Sequence, residues 1–336
     1  MISRVAESCF WLNRYMERVE TLARILDVNL AFVLDVNLPA ADRWRPLLIV
    51  TGVEPQFNRR FGADAGNDGE AVQQYLTWDD DNPCSVYTSL HLARENARTI
   101  RETISLEMWE AINQLWLWLS GRTARKLYDR DRHAFYLHLR NQGLLFHGVC
   151  HNTVLHEEPF DFMRLGTALE RAGQTARIVD VKYYALGPTG VGPETSAETA
   201  QWLATLRSCS AIEPFFKRSG SVLSGGAVAS FLMLDERFPR SVLHNLDRAE
   251  NFLRRIRPLD RPQVGARSAA VLESLLMQVQ SLTVDKLIGT KGGIHKALTE
   301  VIGKTAGVCD LIHEELFDPP ISTRAQKPVV QLQVQK

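Results

Sequence analysis

MRLGTALERAGQTARIVDVKYY, residues 163–184, is written twice in this chain. Its counterpart is FWLNRYMERVETLARILDVN, residues 10–29. A shift of 153 positions lays Glu17 on Glu170, Arg18 on Arg171, Ala23 on Ala176, Arg24 on Arg177 and Asp27 on Asp180. Neither copy contains proline, both are rich in Ala, Leu and Arg, and apolar residues recur every three to four positions. That pattern predicts two helices. Trp11, Tyr15, Val19, Leu22 and Leu26 share one face of the first; Leu165, Leu169, Ala172, Ala176 and Val179 share one face of the second. Glu17 and Arg24 are two turns apart, roughly 10 Å along a helix, and so are Glu170 and Arg177. A direct ion pair within either helix is out of reach at that distance. Each charge must find its partner elsewhere.

The echo continues beyond these helices. VEPQFNRR, residues 53–60, returns as IEPFFKRS, residues 212–219. Gly69, Ala71, Val72, Asp79, Pro83, Ser85 and Val86 match Gly225, Ala227, Val228, Asp235, Pro239, Ser241 and Val242 at a shift of 156. GVC at 148–150 recurs at 307–309, and HEE at 156–158 recurs at 313–315. The ordered matches predict two tandem, pseudo-symmetric helical units, about 1–152 and 154–316, within one domain spanning 1–317. Strand signals are nearly absent, so the expected class is all-α.

Taken in order, the first helix is expected from Ser3 to Leu34, a short apolar segment over 44–53 and a short helix over 70–78. Asn82-Pro83 should open one long helix running to Leu119. Residues 122–154 should be helical with a break near Gly143. Pro159 opens the second Glu-Arg helix, and Gly187-Pro188 stops it before a linker over 187–196. Residues 318–336 read as a disordered tail.

The chain is 45% hydrophobic and 23% charged with zero formal net charge, an ordinary globular balance. Neutrality argues against nucleic-acid or anionic-membrane binding. No apolar run approaches the roughly 20 residues of a membrane span, and no secretory signal opens the chain. Five cysteines, an odd number without a CxxC pair, fit reduced thiols in a cytoplasm.

Three arrangements could use the repeated charges. The two helices could pack together and cross-pair Glu17 with Arg177 and Glu170 with Arg24, a buried network that fixes orientation. They could line a polar cleft that grips an anionic or peptide-like ligand through arginine forks. They could also be solvated surface charges with i,i+4 partners, such as Glu20 with Arg24. Gly173 stands where the first copy has Glu20, so Arg177 lacks that local carboxylate and is the more ligand-sensitive arginine. Arg94, Arg98 and Arg101 form a basic stripe, but Glu95 and Glu102 beside it favour a self-neutralising face. His147, Cys150 and His151 have metal-ligand spacing on a helix, yet no further ligand is dictated, so neither a metal nor a cofactor is expected. Gly303-Lys304-Thr305 lacks the upstream glycine and strand of a phosphate loop.

MISRVAESCFWLNRYMERVETLAR at the start, RENARTIRETISLEMWE in the middle, LERAGQTARIVDVKYY and RFPRSV together resemble the Alpha-E domain family. This is a bacterial all-helical group named for its Glu-Arg motif, which falls here on Glu17-Arg18 and again on Glu170-Arg171. The resemblance implies a setting beside ATP-grasp-type ligases and transglutaminase-like proteins, in peptide synthesis or peptide modification. It supplies no mechanism. The implied role is a helical partner of such a ligase, the alternative an enzyme using a Glu/Arg cleft on a peptide or amino acid. A buried glutamate with a raised pKa facing an open pocket would favour the enzyme; a filled, fully paired network would favour the partner.

Overall fold

The computed structural model describes residues 3–186, 195–220, 223–283 and 293–318. The expected tail, apart from Asp318, and most of the 187–196 linker lie outside these residues. Among the described residues the chain is all-α, with no strand. The helices are α1 (Ser3–Asp35), α2 (Ala40–Arg43), α3 (Arg45–Thr51), α4 (Glu54–Phe61), α5 (Gly69–Thr77), α6 (Val86–Thr99), α7 (Leu106–Leu119), α8 (Arg122–Arg130) and α9 (Arg132–Thr153). Then come α10 (Glu158–Leu186), α11 (Ser196–Ser208), α12 (Ile212–Ser219), α13 (Gly225–Leu234), α14 (Val242–Ile256), α15 (Ala266–Gln280) and α16 (Gly293–Ile312).

The two Glu-Arg helices, α1 and α10, pack against each other at the centre. Arg14 meets Glu170, Glu17 meets Arg171, and Thr21 shares a cavity wall with Gln174, so residue numbers climb together and the helices run parallel. Helices α6 and α9 flank α1, with α7 packed against both. Helices α14 and α16 flank α10, with α15 packed against both. Helix α1 is therefore covered on most of its circumference, from Cys9 and Leu12 to Val19, Ala23 and Leu26. A helix covered all round has no solvent stripe on which to place its charges, so they must be paired inside.

Serine caps set two boundaries that apolar spacing alone misplaces. Ser85 Oγ accepts from the Thr88 N–H, so α6 starts after Pro83 rather than at it. Ser105 Oγ accepts from the Met108 N–H at 3.0 Å and starts a separate helix, α7. The expected single helix to Leu119 is thus two, broken across Ile100–Ser105, where β-branched Thr103 and Ile104 precede the capping serine. Likewise the break in 122–154 falls at Asp131, whose carboxylate accepts from the Ala134 N–H, and not at Gly143.

Gly143 lies inside α9 because α1 passes there: a Cβ at this site would stand 2.7 Å from the Glu20 Cβ. Gly166 serves α10 in the same way, where a side chain would collide with the Phe10 carbonyl. These contacts set the close spacing of the helices. Gly143→Ala should cost about 1–3 kcal/mol through overpacking, whereas Gly148→Ala, in the same helix with open space around it, should stabilise by about 0.4–1 kcal/mol. Urea unfolding of both variants checks the sign of each.

Candidate functional site

The interface between α1 and α10 carries the repeated charges. Glu170, 5% exposed, is clamped by two arginines of α1. Arg14 donates from Nε and Nη2 to Oε2 at 3.0 and 2.8 Å, and Arg18 donates from Nε to Oε1 at 2.8 Å. Gln174 adds a bond to Oε1 at 2.8 Å. Burial opposes ionisation, but Arg18 and Arg14 outweigh it and hold the Glu170 carboxyl well below the usual carboxylate range.

Glu17 is fully buried and mirrors this arrangement. Its Oε2 lies 2.8 Å from Arg171 and 3.1 Å from His147 Nε2, while Oε1 accepts from Arg240 at 2.9 Å. Here too burial pushes the carboxyl up, and Arg171, Arg240 and His147 override it to a net lowering. Burial depresses His147 from its ordinary value despite Glu17. Arg240 also reaches Glu20 at 2.7 Å, and Glu20 pairs with Arg24 one turn further along α1. The side chain of Arg24 is almost wholly enclosed, and its Nε and Nη1 have no hydrogen-bond partner among the described residues.

The expected cross-pairing exists with different arginines. Glu17 takes Arg171 rather than Arg177, and Glu170 takes Arg18 and Arg14 rather than Arg24. The parallel packing explains why: each glutamate lies level with the arginine next to its counterpart, while Arg24 and Arg177 sit about 9–10 Å further along the axis. Arg24 uses Glu20, its i−4 neighbour. Arg177 has no ion pair or hydrogen bond among the described residues and lines a cavity with Arg14, Arg18 and Glu170.

Other candidates lie elsewhere. Asp27 meets His133 Nδ1 at 2.6 Å, and Asp180 meets His295 Nδ1 at 2.6 Å, tying α1 to α9 and α10 to α16. Arg94 binds Asn113 Oδ1 and Glu95, and Arg98 pairs with Glu95. Arg94 and Arg101 lie over the Trp109 ring, so this face neutralises itself between α6 and α7.

The adjacent pairs Glu17-Arg18 and Glu170-Arg171 thus meet across α1 and α10. The family described as "a predicted alpha-helical domain with a conserved ER motif", Alpha-E, matches residues 1–317. The chain belongs to the Alpha-E family. Curated relatives include an uncharacterised protein of Mycobacterium bovis and two of Mycobacterium tuberculosis. Each is 22% identical over 263 residues, covering 73% of this chain and 29% of the relative. This chain thus spans under a third of those relatives' length. No solved structure matches it. Among the described residues, no helix of this Alpha-E chain is long and apolar enough to cross a membrane.

Sequence reasoning missed Arg14, Glu20 as a bridge, Gln174 and Arg240, and it singled out His147 for metal-ligand spacing rather than as a neighbour of Glu17. Arg14 was visible as the i−4 neighbour of Arg18, on one helix face. Arg240 sits inside the RFPRSV segment, but nothing in the sequence aims it at Glu17, 223 residues away.

Two outcomes test this network. Glu170→Ala strips Arg14 and Arg18 of their carboxylate and should cost about 3–5 kcal/mol, read by urea denaturation. For pH, the lowered Glu17 and Glu170 pKa values give stability that is complete above the ordinary carboxyl value of 4.5 and is lost as pH falls below it. His147, lowered from 6.5, adds an earlier loss as pH falls below that value. Thermal midpoints from pH 8 to 3 should show both declines. His147→Gln should flatten part of the first decline and His138→Gln another part, since burial lowers His138 as well.

Proposed function

We propose that the chain is a non-catalytic helical partner of an ATP-grasp-type amide ligase, in a bacterial peptide-synthesis or peptide-modification system that includes a transglutaminase-like protein. One observation carries the reading over an enzyme. Both glutamates of the repeated motif are ion-paired with buried guanidiniums and held ionised, whereas a general acid or base needs a pKa near the working pH. Glu170 borders a cavity but is occupied by two guanidiniums and an amide. The curated relatives support attachment to other machinery, since the matched part fills only 29% of their length. Free cysteines accord with a cytoplasmic setting.

The same proposal holds that the domain, residues 1–317, comprises two tandem pseudo-symmetric units. Three recurring contacts support it. Asp27 with His133 is echoed by Asp180 with His295, and Arg60 with Asp79 by Arg218 with Asp235. Trp44 crowding Gly69 is echoed by Trp202 crowding Gly225.

Co-purification with an ATP-grasp-type amide ligase from the same organism, followed by an ATP-consumption assay, tests the role. The chain should bind the ligase and raise its ATP turnover while processing no peptide alone. Peptide turnover by the isolated chain, abolished in Glu170→Gln with the fold retained, would reverse the reading in favour of an enzyme.

A further inference from the structure

The two halves differ at one place that should be the same. At a shift of 156, Pro239-Arg240-Ser241 aligns with Pro83-Cys84-Ser85. At a shift of 153, Glu20 aligns with Gly173 and Arg24 with Arg177. On the first side Glu20 takes both Arg24 and Arg240, and the space bounded by Thr21, Arg171, Gln174 and Arg240 is too narrow to admit a water. On the second side Gly173 offers no carboxylate and Cys84 no guanidinium. A cavity of about 170 Å³ stands there instead.

Its charges are unbalanced. Arg14, Arg18 and Arg177 face it with only Glu170 to set against them, so three guanidiniums and one carboxylate leave two positive charges. Arg14 and Arg18 are spent on Glu170; Arg177 has no partner among the described residues. The remaining wall sets the apolar side chains of Leu22, Ile25, Val50 and Ile178 beside polar Thr21, Thr51 and Gln174. A single water needs only about 10–15 Å³ of such space, so there is room for a small organic molecule.

We propose that this cavity binds a small aliphatic carboxylate, of the kind carried by a peptide C-terminus or an N-blocked amino acid. Its carboxylate takes the guanidinium fork of Arg177, as Glu20 takes Arg24 in the other half, and its alkyl part lies against Leu22, Ile25 and Ile178. Inorganic phosphate carries the charge but has nothing to place on the apolar wall. Binding is a property of this chain alone and needs no ligase, so its failure leaves the partner role untouched, and the reverse holds too.

Cys84 lines the cavity and is only partly buried, while the other four cysteines are buried, so it reports occupancy. Alkylation of Cys84 by iodoacetate and by neutral iodoacetamide, followed by peptide mass mapping, gives a rate ratio that is independent of the thiol's own pKa. That ratio should fall about tenfold in Arg177→Gln, which has no internal partner to lose and should melt like the parent. N-acetylalanine should slow labelling of the parent, N-acetylalaninamide should not, and phosphate should protect less than N-acetylalanine. Gly173→Glu places the missing carboxylate beside Arg177. A Cβ there meets only Thr305 Cγ2 at 3.8 Å, so the variant should fold and lose protection by N-acetylalanine. An unchanged ratio in Arg177→Gln, equal protection by the acid and its amide, or stronger protection by phosphate overturns the proposal, and Arg177→Gln decides it where Gly173→Glu fails to fold.

Discussion

Burying a carboxylate between two helices is tolerated only when positive charge is buried with it, and in this chain that constraint is met twice, in opposite directions. Glu17 of α1 draws on Arg171 of α10, and Glu170 of α10 draws on Arg18 and Arg14 of α1. Either pair alone would fix a point of contact. Together they fix level and direction, because an antiparallel or slipped arrangement would leave four or five ionised groups uncompensated in a low-dielectric interior. Buried ion pairs contribute little net stability, but losing one partner is costly, so their main effect here is to select one packing.

The rest of the molecule follows from that axis. With α1 and α10 side by side and parallel, each must be sheathed by its own helices, and Gly143 and Gly166 are required where backbones approach most closely. Arg240 and His147 arrive from the sheath to complete the compensation of Glu17. The cavity beside Arg177 arises where this completion is missing on the opposite side.

The class and the two central helices were legible because helical periodicity and a long-range echo are properties of the sequence itself. The importance of Glu17, Arg18, Glu170 and Arg171 was legible for the same reason: charges that survive at fixed offsets have a fixed job. Who pairs with whom was not legible. Pairing across the interface depends on the axial level at which α1 meets α10, which no spacing within either helix specifies, so the cross-pairing arrangement names Arg177 and Arg24 where Arg171 and Arg18 stand. The local pair of Glu20 with Arg24, by contrast, follows from i,i+4 spacing. The helix breaks were missed at Ser105 and Asp131 because a capping side chain outweighs the continuing apolar pattern. Arg240 shows the plainest limit: its segment stands out in the sequence, but its destination is set by the tertiary fold.

The central claim is that Glu17 and Arg171 are direct partners across the parallel pair, and a double-mutant cycle measures that most directly. Urea unfolding of Glu17→Gln, Arg171→Gln and the double variant should give a coupling of about 1.5–3 kcal/mol, while the same cycle on Glu17 and Arg177 should give less than about 0.5 kcal/mol. A negligible coupling for Glu17 with Arg171, or a larger one for Glu17 with Arg177, would contradict the account.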